Sequence, residues 1–146
     1  MKIVTFCGHG KLGGEPVKKI KETVLSEIEK LILNGAEEFL LGGYGDFDIM
    51  CAQVLLELKL NYPHICTILV TPYLDRKYNT TLYSFIEYPE IETVTKSVAI
   101  VKRNEYMVNR SDVVVAFVKY DFGGAAKTLE YAKRKGKQII NIAYLV

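Results

Sequence analysis

Tryptophan is absent from the sequence, cysteine occurs only 3 times and proline 4 times. The cysteines, Cys7, Cys51 and Cys66, are odd in number, widely spaced and without a C-x-x-C pair. That spacing indicates neither a zinc ribbon nor a disulfide scaffold. No apolar run approaches the length of a membrane span, and no repeat or low-complexity segment occurs. An excess of one charge is also missing: 19 Lys and Arg face 17 Asp and Glu, for a net charge of +2. A nucleic-acid coat or a polybasic membrane binder would carry a far more lopsided balance. The opening "MKIVTFCGHG" lacks the apolar core and small-residue cleavage site of a secretory signal, so a cytoplasmic protein is expected. Neither G-x-G-x-x-G nor the Walker G-x-x-x-x-G-K-[ST] is present, so neither a standard dinucleotide fingerprint nor a P-loop is supported.

What is present fits one domain. The chain has 146 residues, 49% hydrophobic and 25% charged, enough apolar mass for a substantial core. Lys2 to Phe6 reads as a buried strand. A glycine-rich loop, "CGHGKLGGEP", leads to a helix from about Pro16 to Asn34, with Val17, Ile20, Val24, Ile28, Leu31 and Ile32 at spacings of three and four. "EEFLLGG" is a second strand, followed by a helix with Asp46 as candidate N-cap and Pro63 as stop. "ICTILVT" is a third strand. Residues 72–95 are ambiguous between a helical turn and a short strand. Their tyrosines either stack on a base or pack the connection down. Ser97 to Arg110 reads as a helix, Asp112 to Val118 as the fourth strand, Gly124 to Lys135 as the last helix and "QIINIA" as the fifth strand.

Apolar strands alternating with helices imply a parallel sheet covered on both faces. The expected fold is a Rossmann-like, doubly wound α/β domain of about five strands in the order 3-2-1-4-5. In such sheets ligands bind beyond the carboxyl ends of the strands. The exits of strands one, two and four carry "CGHG", "GGYGDFD" and "YDFGG", so Gly8, Gly10, Gly42, Gly43, Gly45, Gly123 and Gly124 are expected along one rim. Glycine there makes a tight turn or lets backbone N–H groups approach an anion, and three such loops favour the anion. Phosphate is the natural guest.

Several side chains join this candidate site. Lys127 reads as a phosphate contact or half of a surface ion pair with Glu130, and Thr128 as a hydroxyl on the phosphate or an ordinary helical residue. Asp46 and Asp48 either cap the second helix or reach a ribose hydroxyl. His9, between two glycines, is favoured as a ligand contact over a plain loop residue. Arg103, on the half-buried side of its helix beside Asn104, needs an anionic partner. By contrast, Lys133, Arg134, Lys135 and Lys137 read as a solvated face. Cys51 and Cys66, in apolar surroundings, read as small core residues, whereas Cys7 sits at a strand exit beside glycines, where a reactive thiol is one reading. His64 reads as a turn residue at the other end of the sheet from His9, so no shared metal site is expected, and no cofactor is implied.

Four segments in order, "FCGHGKLG", "FLLGGYGDFD", "VTPYLDRKY" and "VKRNEYMVNRSDVVVAFVKYDFGGAAKTLEYAKRKGKQIINI", make the chain similar to the SLOG superfamily. That group is named for the DNA-processing protein DprA/Smf and the LOG proteins, and the resemblance is to its small single-domain bacterial members. It implies a Rossmann-like fold and a nucleotide or nucleotide-sugar ligand at these loops. LOG enzymes are phosphoribohydrolases that cut the N-glycosidic bond of nucleoside 5′-monophosphates, and their hallmark is P-G-G-x-G-T-x-x-E with an arginine in the preceding helix. On that pattern Gly123 and Gly124 match the glycine pair, Glu130 the glutamate and Arg103 the arginine. Phe122 replaces the proline, Ala126 the third glycine and Lys127 the threonine, with Thr128 one position late. The resemblance therefore implies nucleotide binding first, with Phe122 in the binding turn. Cleavage by Arg103 and Glu130 is the alternative, and a DprA-like single-strand DNA binder the third reading, which the near-neutral charge disfavours. A homo-oligomer is left open.

Overall fold

The segments 113–117 and 66–70, "VVVAF" and "CTILV", are apolar or β-branched nearly throughout, as a strand buried on both faces requires. A computed structural model describes residues 2–73, 81–89 and 95–146 of the chain. In chain order it contains β1 (Lys2–Gly8), α1 (Val17–Leu33), β2 (Ala36–Leu41), α2 (Asp46–Lys59), β3 (Cys66–Val70) and β4 (Phe85–Glu87). The second half continues with α3 (Lys96–Arg110), β5 (Val113–Phe117), α4 (Gly124–Arg134), β6 (Gln138–Asn141) and a 3-10 turn at Ile142–Tyr144. The strands form one sheet in the order β4-β3-β2-β1-β5-β6, and every neighbouring pair is parallel. The doubly wound α/β reading is thus the observed fold. Its five expected strands keep their order, and β4 adds a sixth at the β3 edge, from within the stretch that sequence left ambiguous. Residues 74–80 and 90–94 of that stretch lie outside the described residues.

Strand alternation sorts the core into two layers. On one face Val4, Phe6, Phe39, Leu41, Val113, Val115 and Phe117 pack with Ile20, Val24 and Ile28 of α1 and Phe47, Val54 and Leu55 of α2. On the other, Cys7, Val114 and Ala116 meet Val108 of α3 and Leu129 and Ala132 of α4, while Leu40, Ile68 and Val70 meet Met107. Among the described residues no helix is long and apolar enough to cross a membrane.

Several boundaries differ from expectation for local reasons. Pro16 is the N-cap of α1, its carbonyl accepting from Ile20 N–H at 2.9 Å, and Val17 is exposed outside the apolar stripe. Asp46 is the first residue of α2, with Gly45 as the N-cap. The last strand stops at Asn141, not Ala143. The Asn141 amide nitrogen donates to the Val118 carbonyl at 3.0 Å, and its oxygen accepts from Val118 and Ala143 N–H, each at 3.2 Å. Those bonds turn the chain out of the ladder.

Parallel strands put every strand exit at one end of the sheet. Gly8 ends β1, Gly43 follows β2 and Gly123 follows β5, so the three glycine loops share one rim. Gly8 fits there for a steric reason: a Cβ would sit 2.3 Å from the Phe47 ring, whereas a Cβ at Gly10 would meet nothing within 4 Å. Gly8→Ala is therefore expected to destabilise the fold by about 1–3 kcal/mol through overpacking. Gly10→Ala should stay within about 0.5 kcal/mol of the parent. Urea unfolding midpoints at unchanged m-value check both; equal midpoints would contradict the packing of α2 on the β1 exit.

Candidate functional site

The rim cleft is built upward from a buried cation. Arg103 projects from α3 and is only 8% exposed. Its Nη1 donates to the Gly42 carbonyl at 3.0 Å and its Nε to Asn104 Oδ1 at 3.0 Å. A Cβ on Gly42 would stand 2.8 Å from the guanidinium carbon, so the bare backbone is what admits the arginine. Asp48 answers the charge from α2. Its carboxylate accepts from Gly42 N–H at 3.0 Å and from the amides of Gly43 and Tyr44. Desolvation pushes the Asp48 carboxyl up from 3.8 to about 6, against the opposing pull of Arg103 and these amides. Burial outweighs the cation.

The first two rim loops touch backbone to backbone. Asp46 N–H donates to the Gly10 carbonyl at 2.8 Å, and Asp46 Oδ2 accepts from Leu12 N–H at 3.0 Å. Gly45 makes this approach feasible: it sits at φ +96° with Gly10 Cα only 2.9 Å from where a Cβ would stand. His9 ties β1 to the third loop. Its N–H donates to the Phe117 carbonyl at 3.2 Å, and its Nε2 accepts from Lys119 N–H at 2.9 Å, which requires an unprotonated ring nitrogen. Burial holds the His9 pKa below its ordinary value, with Glu15 pulling it up and Lys119 pushing it down. Lys119 Nζ is itself paired with Glu15 at 3.0 Å.

The third wall is the start of α4. Gly123 is its N-cap at φ +93°, no side chain caps it, and its first turn holds no acidic residue. The leading amides of the helix therefore reach the cleft uncompensated, with the positive end of its dipole. The result is a cleft of about 400 Å³ lying over the ends of β1 and β5. It is lined by Gly8, His9, Gly10, Asp48, Arg103, Asn104, Phe122, Gly123, Gly124 and Thr128, together with Cys7, Tyr44 and Tyr120.

Not every expected site residue arrives there. Gly42, Gly43, Gly45 and Asp46 shape the loops behind the cleft without lining it. Thr128 lines it, but its hydroxyl donates to the Gly124 carbonyl at 3.0 Å inside its own helix. Lys127 and Glu130 are exposed and line the depressions that flank α4, one of which adjoins the cleft at Asn104, Gly124 and Thr128; Glu130 does not line the cleft that holds Arg103. Asp48 is the carboxylate that does. Cys7 reaches the cleft floor as a buried thiol pushed up to about 12, chiefly by desolvation, which favours the protonated thiol over the nucleophilic thiolate. Cys51 is buried as expected, whereas Cys66 is only partly so. His64 sits before β3, at the opposite end of the sheet, in edge contact with Tyr62. Among the described residues no three His, Cys, Asp or Glu side chains are grouped to hold a metal. Tyr44 and Tyr120 were not expected in the site. Their signal in sequence was adjacency: each lies within a glycine-bearing strand exit.

Comparison with known proteins agrees with this architecture. The model of the YspA SLOG family (YpsA) matches residues 13–145, and the chain belongs to that family. A UPF0398 protein of Halalkalibacterium halodurans is 28% identical, covering 94% of this chain and 84% of its own. A UPF0398 protein of Bacillus thuringiensis is 23% identical over 94% and 85%. Among solved structures, TM1055 superposes with a TM-score of 0.64 at 19% identity, covering 95% of this chain and 72% of that one. DNA processing protein A of Helicobacter pylori, described for its single-stranded DNA binding mode, gives 0.66 at 22% identity. That match covers 94% of this chain but 63% of the other, somewhat under two thirds. At these identities the structural likeness is one of fold.

The Asp48 carboxyl has a stability consequence. Its folded pKa lies near 6, above the ordinary 3.8, so the folded state holds the proton more tightly than the unfolded chain does. The associated stability is full below 3.8 and is lost as pH rises through about 6. Asp48→Asn removes that loss. Between the acid and neutral sides of the window the parent should fall relative to the variant by about 3 kcal/mol. Urea unfolding on both sides checks it; parallel pH profiles for the two proteins would contradict the desolvated carboxyl.

Proposed function

We propose that this SLOG-family protein binds a phosphorylated nucleotide, or a ligand derived from one, in the cleft over β1 and β5. The observation that carries the reading is the uncapped N-terminus of α4, glycine-lined and free of acidic residues, opening on a cleft with Arg103 at its base. A phosphate suits the α4 amides because they are unpaired donors at the positive end of the dipole. Arg103 adds positive potential from below while its own donors stay engaged with Gly42 and Asn104. A volume of about 400 Å³ falls within the range of small-molecule sites.

Cleavage of an N-glycosidic bond is the second reading, supported by the positions of Arg103 and Glu130 on the LOG pattern. Such a reaction needs a carboxylate near the sugar to activate water or steady the oxocarbenium ion. Glu130 lies outside the cleft and Asp48 is committed to the β2–α2 turn, so the geometry favours binding over cleavage. The resemblance to DNA processing protein A makes a single strand a third occupant, presenting the same phosphate and ring chemistry.

Gly124 offers a clean test. Its backbone is not left-handed and a Cβ there would meet nothing within 4 Å, so Gly124→Leu should fold like the parent while filling the phosphate position. Nucleoside monophosphates at about 100 times Kd should stabilise the parent by about 2.7 kcal/mol, and the thermal unfolding midpoint should rise accordingly. The variant should show no rise. Equal stabilisation of both proteins would remove α4 from the site. Chromatography of the same incubations reads the second hypothesis: base and ribose 5-phosphate released by the parent, and lost in Glu130→Ala, would favour the hydrolase.

A further inference from the structure

Three aromatic rings run up one lip of the cleft. The His9 and Tyr120 rings lie 5.2 Å apart, and Tyr120 and Phe122 stack at 5.5 Å with 25° between their planes. His9 also meets Phe117 edge-on at 6.0 Å, which anchors the foot of the ladder in the core. The top is open: Phe122 is 70% exposed, directly before the Gly123 cap of α4. Tyr44, 84% exposed, lines the same cleft from the β2–α2 loop. Exposed aromatics gathered at one cleft call for an occupant with a flat apolar face.

The polar side chains of the cleft are meanwhile largely engaged within the protein. His9 Nε2 accepts from Lys119 N–H, and Asp48 accepts the amides of the β2–α2 turn. Arg103 donates to Gly42 and Asn104, and the Thr128 hydroxyl donates to Gly124. The Tyr44 and Tyr120 hydroxyls, which also line the cleft, can each donate or accept and so meet any base edge. Stacking likewise accepts every base, because each has a π-face.

We infer that Phe122, backed by Tyr120, captures the nucleobase by stacking, so that the site selects for a ring joined to a phosphate and tolerates any base. This rests on the reading of the cleft as a phosphate-binding nucleotide site and adds the part of the ligand that decides specificity. Phe122 stands where the LOG pattern has proline, so the same substitution that alters the phosphate turn supplies the ring platform.

The test compares AMP, GMP, CMP, UMP and ribose 5-phosphate by calorimetric titration on the parent, Phe122→Ala and Phe122→Tyr. Phe122 is exposed, so both variants should keep the parent's unfolding midpoint. The four nucleotides should bind the parent within about tenfold of one another, and ribose 5-phosphate should bind at least about tenfold more weakly than AMP, as loss of one base stack predicts. Phe122→Ala should erase the advantage of AMP over ribose 5-phosphate, and Phe122→Tyr should retain it. Equal affinities for AMP and ribose 5-phosphate in the parent would overturn the stacking inference and leave the phosphate site standing. So would a preference for one base above about a hundredfold, which is the mark of edge readout. An AMP advantage that survives Phe122→Ala would also overturn it. Binding of none of the five compounds would overturn the nucleotide reading itself.

Discussion

A guanidinium taken out of water beneath the rim is the constraint on which the site depends. Removing a charge from water costs several kcal/mol unless acceptors and a counter-charge are waiting. Arg103 finds the Gly42 carbonyl, the Asn104 amide oxygen and the field of Asp48. Each compensation fixes something else. Gly42 has to lack a side chain, α3 has to lie against the β2 exit, and Asp48 has to stay inward at the start of α2, where it also gathers the turn amides. The rim is therefore organised from below before any ligand arrives, which is the condition for binding without a large ordering cost.

Topology supplies the opening above that cation. The chain runs outward from β1 in one direction through β2, β3 and β4, and in the other through β5 and β6. The order reverses between β1 and β5, and their exit loops diverge there, leaving the crevice that doubly wound sheets use for ligands. His9 bridges the two exits by hydrogen bonds to the β5 side, and the start of α4 closes the third wall. Cation, crevice and helix terminus thus coincide through separate causes: a buried side chain, a strand order and a glycine cap.

Much of this was legible in the residues. Apolar strands such as "VVVAF" and the stripe from Ile20 to Ile32 in α1 follow from periodicity alone, and parallel pairing then brings Gly8, Gly43 and Gly123 to one end. Short-range patterns could not assign β4, because three residues of an edge strand with Phe85 and Ile86 exposed lack the fully apolar signature of the inner strands. Nor could they separate glycines that line the cleft from those that support it. The role of Gly42 depends on a guanidinium 61 positions away in sequence, and that of Gly45 on the backbone of Gly10. Glu130 was placed by motif position; it lies on a flank of α4 in a depression that it shares with Gly124 and Thr128 but not with Arg103. The aromatic ladder was half visible: His9 and Phe122 were expected and Tyr120 lies beside Phe122 in sequence, but the contact of Tyr120 with His9 forms only when two loops meet.

The claim that matters most is that ligand phosphate sits on the α4 N-terminus inside this cleft. Titration of the ¹⁵N-labelled protein with AMP, read by amide chemical shifts, tests it at the level of single N–H groups. The largest shifts should fall at Gly123, Gly124 and Ala125, with smaller ones at Gly8 and His9, and none at the opposite end of the sheet around His64. Saturable shifts confined to another surface, such as the groove between Gly13 and Gln53, would contradict it.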